Sequence, residues 1–99
     1  MKVSITSIKF KTDKKLEQYI QEKVDKLSGL FDGLIGSEVT LRVEKNQKED
    51  NKVTEIRLMI SGNDLFAKKQ SKTFEQSTDI AVEALRKQLL KHKQKIRGM

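Results

Sequence analysis

Residues 38–44, Glu-Val-Thr-Leu-Arg-Val-Glu, alternate strictly: Val39, Leu41 and Val43 are apolar, while Glu38, Thr40, Arg42 and Glu44 are polar. Successive side chains of a strand point to opposite faces, so this pattern buries one face and leaves the other in water. It is the clearest strand signature in the chain, and the elements on either side are read against it.

Downstream, the stretch Asn46 to Lys52 (NQKEDNK) is wholly polar and reads as a connecting loop. Ile56, Leu58 and Ile60 then alternate with Glu55, Arg57 and Met59, which predicts a second strand in this region. Ser61-Gly62-Asn63-Asp64 is a turn signal, because Gly62 and Asn63 tolerate positive φ. Leu65 and Ala67, alternating with Phe66 and Lys68, predict a further strand. The two connections are short, so these three strands should form an antiparallel meander.

Upstream, Leu30, Phe31, Leu34 and Ile35 are apolar but lack a clear period, and Gly33 and Gly36 interrupt them. They are expected to form a loop tucked into the core. Before them Leu16, Tyr19, Ile20, Val24 and Leu27 recur at helical spacing and make one apolar stripe. Thr12 or Asp13 can cap that helix, Glu17 lies in its first turns, and Gly29 is a plausible stop. At the start of the chain Val3 and Ile5, with Ser7 next in phase, alternate with Lys2, Ser4 and Thr6 as a short half-buried strand. At the far end Thr73-Phe74-Glu75-Gln76 has capping-box spacing. Phe74, Thr78, Ala81, Leu85, Leu89, His92 and Ile96 follow at steps of three or four. No proline interrupts them, so this helix can run about 20 residues.

The resulting order is β-α-β-β-β-α. About 30 residues containing a helix separate the first two strands, enough for a parallel crossover. The expected fold is α+β: one domain over residues 1–99, a four-stranded mixed sheet with two helices packed on one face. The arrangement of a sheet with two helices on one face is similar to that of double-stranded RNA-binding domains.

Charge is distributed unevenly over this frame. Of 99 residues, 21 are Lys or Arg and 14 Asp or Glu, a net charge of +7. The first fifty residues carry ten cations against nine acids and the remainder eleven against five, or +1 and +6. Residues 84–99, ALRKQLLKHKQKIRGM, hold six cations (Arg86, Lys87, Lys91, Lys93, Lys95, Arg97), His92 and no acid. With an isoelectric point near 9.7, a nucleic acid is the expected partner class.

Placed on a wheel at 100° per residue with Arg86 at zero, Lys93 and Arg97 fall within about 20° of it, and Lys87, Lys91 and Lys95 spread from about 100° to 180°. The apolar stripe centres near 270°, so the cations take most of the solvent-facing half. Lysines that complement the negative end of a helix account for one or two of them. Six without a compensating acid repel one another, which argues for a binding face. Lys23 and Lys26 on the first helix can extend that face if the helices lie side by side. Glu22 and Asp25 can instead balance them as a surface pair.

Other chemistry is poorly supported. There is no cysteine, which excludes disulfides and thiolate ligation and fits the cytoplasm. One histidine and no phosphate-cradling glycine loop give no basis for catalysis, and no metal site or cofactor is expected. His92 lies on the apolar side of the wheel and reads as packing at the core edge. No signal peptide or membrane span is seen. Tyr19, Phe31 and Phe74 read as core, leaving only Phe10 and Phe66 as candidate exposed aromatics. A base-stacking sheet is therefore not expected, and recognition should run through phosphate position and shape.

The ending Gln88-Leu89-Leu90-Lys91-His92-Lys93-Gln94-Lys95, with this element order, resembles the bacterial ribosome hibernation-promoting factors, also called ribosome-associated inhibitors or sigma-54 modulation proteins. Lys23, Lys26 and Leu27, Phe31-Asp32 and Val43-Glu44-Lys45 match as well. The resemblance covers essentially the whole chain. It implies a non-enzymatic factor that sits in the mRNA and tRNA channel of the small ribosomal subunit, contacts ribosomal RNA through basic helices, and holds the ribosome inactive in stationary phase or stress. It implies the short form, without the domain that pairs two ribosomes, and a monomer when free, with neither membrane nor small-molecule substrate. Carried over by match are Lys23, Lys26, Lys87, Lys91 and Lys93, with His92 beside them. Charge and wheel position add Arg86, Lys95 and Arg97. Glu75 departs from the family, which often has an aromatic there, and Lys68, Lys69 and Lys72 make the fourth strand and its exit unusually basic. A general double-stranded RNA-binding module is the alternative reading.

Overall fold

The computed structural model describes residues 1–45 and 48–97, with side chains described as far as Lys95. The elements are β1 (Lys2–Ser7), α1 (Lys14–Asp25) followed by a 3₁₀ turn (Lys26–Gly29), β2 (Leu34–Val43), β3 (Lys52–Ile60), β4 (Leu65–Ser71) and α2 (Phe74–Arg97). The strands lie side by side in the order β1-β2-β3-β4, with β1 parallel to β2 and the other pairs antiparallel. This is the expected mixed sheet. Asn46 and Gln47, part of the expected loop, lie outside the described residues.

The helices share one face of the sheet. α2 packs on β3 and β4, and α1 packs on α2 and β1. Val39, Leu41, Ile56 and Leu58 from the sheet meet Ile20, Val24 and Leu27 from the first helical segment and Ala81, Leu85 and Leu89 from α2 in one core cluster, all at most 2% exposed. Burying a leucine or isoleucine of this kind is worth about 1.5–3 kcal/mol relative to leaving it in water. The core also holds a hydroxyl cluster. Thr54 Oγ1 lies 2.6 Å from Ser77 Oγ and 3.3 Å from Thr78 Oγ1, so buried polar atoms of β3 and α2 satisfy each other.

Both helix starts follow from their caps. Asp13 accepts a hydrogen bond from the Leu16 amide at 2.7 Å, and Thr73 Oγ1 accepts one from the Gln76 amide at 3.0 Å. The capping box at Thr73 is half-formed, because Gln76 Oε1 accepts from Ser71 Oγ instead. The turn between β3 and β4 closes with the Asn63 amide on the Ile60 carbonyl, and Gly62 alone in it has positive φ, 86°. That is the type II arrangement, for which glycine is the natural residue at the third position.

The expected loop before the second strand is not observed in full. Leu34 and Ile35 belong to β2, not to a loop. Leu34 pairs with Ile60 and Gly36 with Met59, so Ile35 is the extra residue of a β-bulge. A bulge leaves one residue without a partner and inverts the alternation there. Hence the run shows no period, and Ile35 is 65% exposed.

Candidate nucleic-acid interface

α2 runs for 24 residues and carries Leu85 and Leu89 inward with no measurable exposure. Its opposite side therefore has to face water. Arg86, Lys87, Lys91 and Lys95 are exposed there, Lys93 is half-buried at the border, and the side chain of Arg97 lies outside those described. Among the described residues Lys87, Lys91, Lys93 and Lys95 make no ion pair. Arg86 is held by Glu83 one turn back, at 3.4 Å.

The two helices do lie side by side, and they run in the same direction. Tyr19 reaches Asp79 near the start of α2, while Phe31, beyond α1, reaches His92 near its end. Lys26 falls between these two crossings, exposed and without an ion pair among the described residues.

Lys23 is placed differently. Its ammonium lies 3.9 Å from the Asp79 carboxylate and 5.4 Å from the centroid of the Tyr19 ring. The Tyr19 hydroxyl donates to the same carboxylate at 2.8 Å. Tyr19 is thus a half-buried clamp between the helices and not the core residue its spacing predicts. The hydrogen bond to Asp79 is the main reason its hydroxyl pKa rises from near 10 to about 12, with burial and the negative charges of Asp79 and Glu75 adding to it. Lys23 is partly neutralised within the fold. The sequence reading missed this because its partner is on the other helix, 56 positions away.

His92 is half-buried and packs edge-on against Phe31, with ring centroids 5.4 Å apart at 85°. Packing at the core edge was the expectation. Phe10 is also accounted for, stacked on Phe74 with centroids 5.0 Å apart. Phe66 is 52% exposed on the sheet face away from the helices. A lone exposed ring there does not make a stacking platform. Among the described residues no group of three or more His, Cys, Asp or Glu side chains could hold a metal ion, and no helix is long and apolar enough to cross a membrane.

Fold and site together define a class: a two-layer α+β domain whose long second helix carries a run of cations in its C-terminal half. Comparison with known proteins carries this further. Residues 3–97 match the family described as sigma 54 modulation protein / S30EA ribosomal protein, and the chain belongs to that family. It is similar to the ribosome hibernation promoting factor of Azotobacter vinelandii, 28% identical over 95 residues that make up 96% of this chain and 85% of that one. The factor of the same name from Pseudomonas putida KT2440 is also 28% identical, over 96% of this chain and 89% of its own. Among solved structures, a ribosomal subunit interface protein from Coxiella burnetii superposes with a TM-score of 0.82 at 17% identity, covering 94% of this chain and 98% of that one. The N-terminal domain of Thermus thermophilus Protein Y gives 0.77 at 18%, covering 90% and 96%. At such identities the superpositions speak for the fold.

Proposed function

We propose that this chain binds the small ribosomal subunit through the cationic face of α2, occupies the channel used by mRNA and tRNA, and so holds ribosomes inactive. The carrying observation is that Lys87, Lys91, Lys93 and Lys95 stand on one helix with no ion pair among the described residues. Charges left uncompensated by the fold are available to phosphates, whose neutralisation releases counterions and drives binding. Family membership and relatives named ribosome hibernation promoting factors support reading that polyanion as ribosomal RNA. Lys26 extends the contact, Arg86 joins it by exchanging Glu83 for phosphate, and Arg97 continues the same sequence run. Lys23 contributes less, because Asp79 already faces it. The protein acts by occupancy and not by catalysis.

Cosedimentation with ribosomes over a salt series tests this. The protein should travel with the small subunit at low salt and be released as salt rises, affinity falling by orders of magnitude between about 50 and 200 mM. Remaining in the ribosome-free fraction at low salt would refute the proposal. Equally tight binding to an isolated RNA duplex would favour a general double-stranded RNA module.

A further inference from the structure

Beside the C-terminal half of α2, the turn between β3 and β4 stands away from the helix and leaves a groove of about 290 Å³ lined by Asn63, Leu65, Gln88, Lys91, His92 and Lys95. Its chemistry differs from that of the open cationic face. Leu65 and the imidazole of His92 give it an apolar, partly aromatic wall. Phe31 meets the His92 ring edge-on, which restricts how that ring can turn. Gln88 is also held: its Nε2 donates to the Phe66 carbonyl on β4 at 3.1 Å. One N–H of that amide is engaged, and its carbonyl oxygen remains an acceptor. Asn63 adds a second, exposed amide at the mouth of the groove. Lys91 and Lys95 are one helical turn apart on the rim. Like charges at this spacing repel unless an anion sits between them.

An apolar slot, an aromatic wall, two amides and a pair of ammonium groups are the complement of one unstacked nucleotide. The volume lies at the lower end of the range for small-ligand sites, suited to a single base and not to a dinucleotide. We infer that the groove takes one unpaired nucleotide of the bound RNA, its base against His92 and Leu65 and its phosphate between Lys91 and Lys95. This rests on the reading of α2 as an RNA-binding face and adds base contact to it. Amides can pair with base edges, and aromatic rings stack on any base.

Titration of the ¹⁵N-labelled protein with each of the four nucleoside 5′-monophosphates, and separately with ribose 5-phosphate, decides it. The monophosphates should shift the amides of Asn63 and Leu65 and the ring protons of His92, whereas ribose 5-phosphate should shift only the surroundings of Lys91 and Lys95. The same pattern from both probes, or no shift at Asn63 and Leu65 with any monophosphate, overturns the inference. A second arm uses ribosomes. His92→Leu keeps an apolar contact for Phe31 but removes the flat ring, and should lower affinity about tenfold with the salt slope unchanged. Lys91→Gln should instead reduce that slope by about one contact. Wild-type affinity in His92→Leu overturns the base contact while leaving the ribosome proposal standing. Failure of the wild-type protein to cosediment refutes that proposal, and the monophosphate titration still decides the groove by itself.

Discussion

The sheet face away from the helices and the outer side of α2 are both basic, and they treat their cations in opposite ways. On the sheet, Arg42 and Lys68 share Glu55, and Arg57 lies between Glu38 and Asp64. Cross-strand register produces this arrangement, since Glu38 is directly opposite Arg57 and Glu55 opposite Lys68. On α2, Lys87, Lys91, Lys93 and Lys95 make no ion pair among the described residues, although Glu83 stands one turn before Lys87. Counting cations does not separate the two surfaces. What separates them is how far the fold supplies the counter-charge: it does so for Arg42, Arg57 and Lys68 on the sheet, and for Arg86 alone among the described cations of the helix. Of the basic residues Lys68, Lys69 and Lys72, Lys68 is held by an acid on the neighbouring strand.

The comparison can be broken most forcefully on the helix. Reversing Arg86, Lys87 and Lys91 to Glu should cut ribosome affinity roughly a thousandfold at low salt, with the thermal midpoint little changed because all three are exposed. Unchanged cosedimentation would show that the uncompensated face is not the contact. The inward side of the same helix should behave in the reverse way. Leu89→Ala should cost about 2–5 kcal/mol in denaturant unfolding, since Leu89 is fully buried in the core cluster.

A control on the sheet sharpens the contrast. Glu55→Gln leaves Arg42 and Lys68 without their shared carboxylate, yet should alter stability by no more than about 1 kcal/mol and leave ribosome affinity within about twofold. A large gain in binding would mean that freed cations anywhere suffice.

The smallest effect concerns the clamp between the helices. Tyr19→Phe removes the hydroxyl that donates to Asp79 and should cost about 0.5–1 kcal/mol. The bond requires a protonated phenol, whose pKa is raised in the folded protein to about 12. Its contribution is therefore complete below about pH 10 and lost as the pH rises through about 12. The difference in thermal midpoint between wild type and Tyr19→Phe should shrink over that window. A gap that persists beyond it would mean that packing, not the hydroxyl, carries the effect.

Most of the architecture was legible because hydrophobic period is a local property. The alternation of residues 38–44 and 55–60, the stripe from Phe74 to Leu89 and the caps at Asp13 and Thr73 each need only neighbouring residues to be read. The cationic run of α2 was legible for the same reason. Leu34 and Ile35 were not, because a bulge breaks alternation and only a partner strand shows which residue is the extra one.

By itself, then, the sequence determined most of the elements, their buried faces, and the acid-free cationic run of residues 84–99. The tertiary structure decided which charges remain free. It set Asp79 against Lys23 and Tyr19, acids of neighbouring strands against Arg42, Arg57 and Lys68, and the turn at Asn63 beside His92 to form a groove. Periodicity specifies where a side chain points from its own element. An ion pair or a cavity depends on the distance between elements, and that distance exists only once the core has packed.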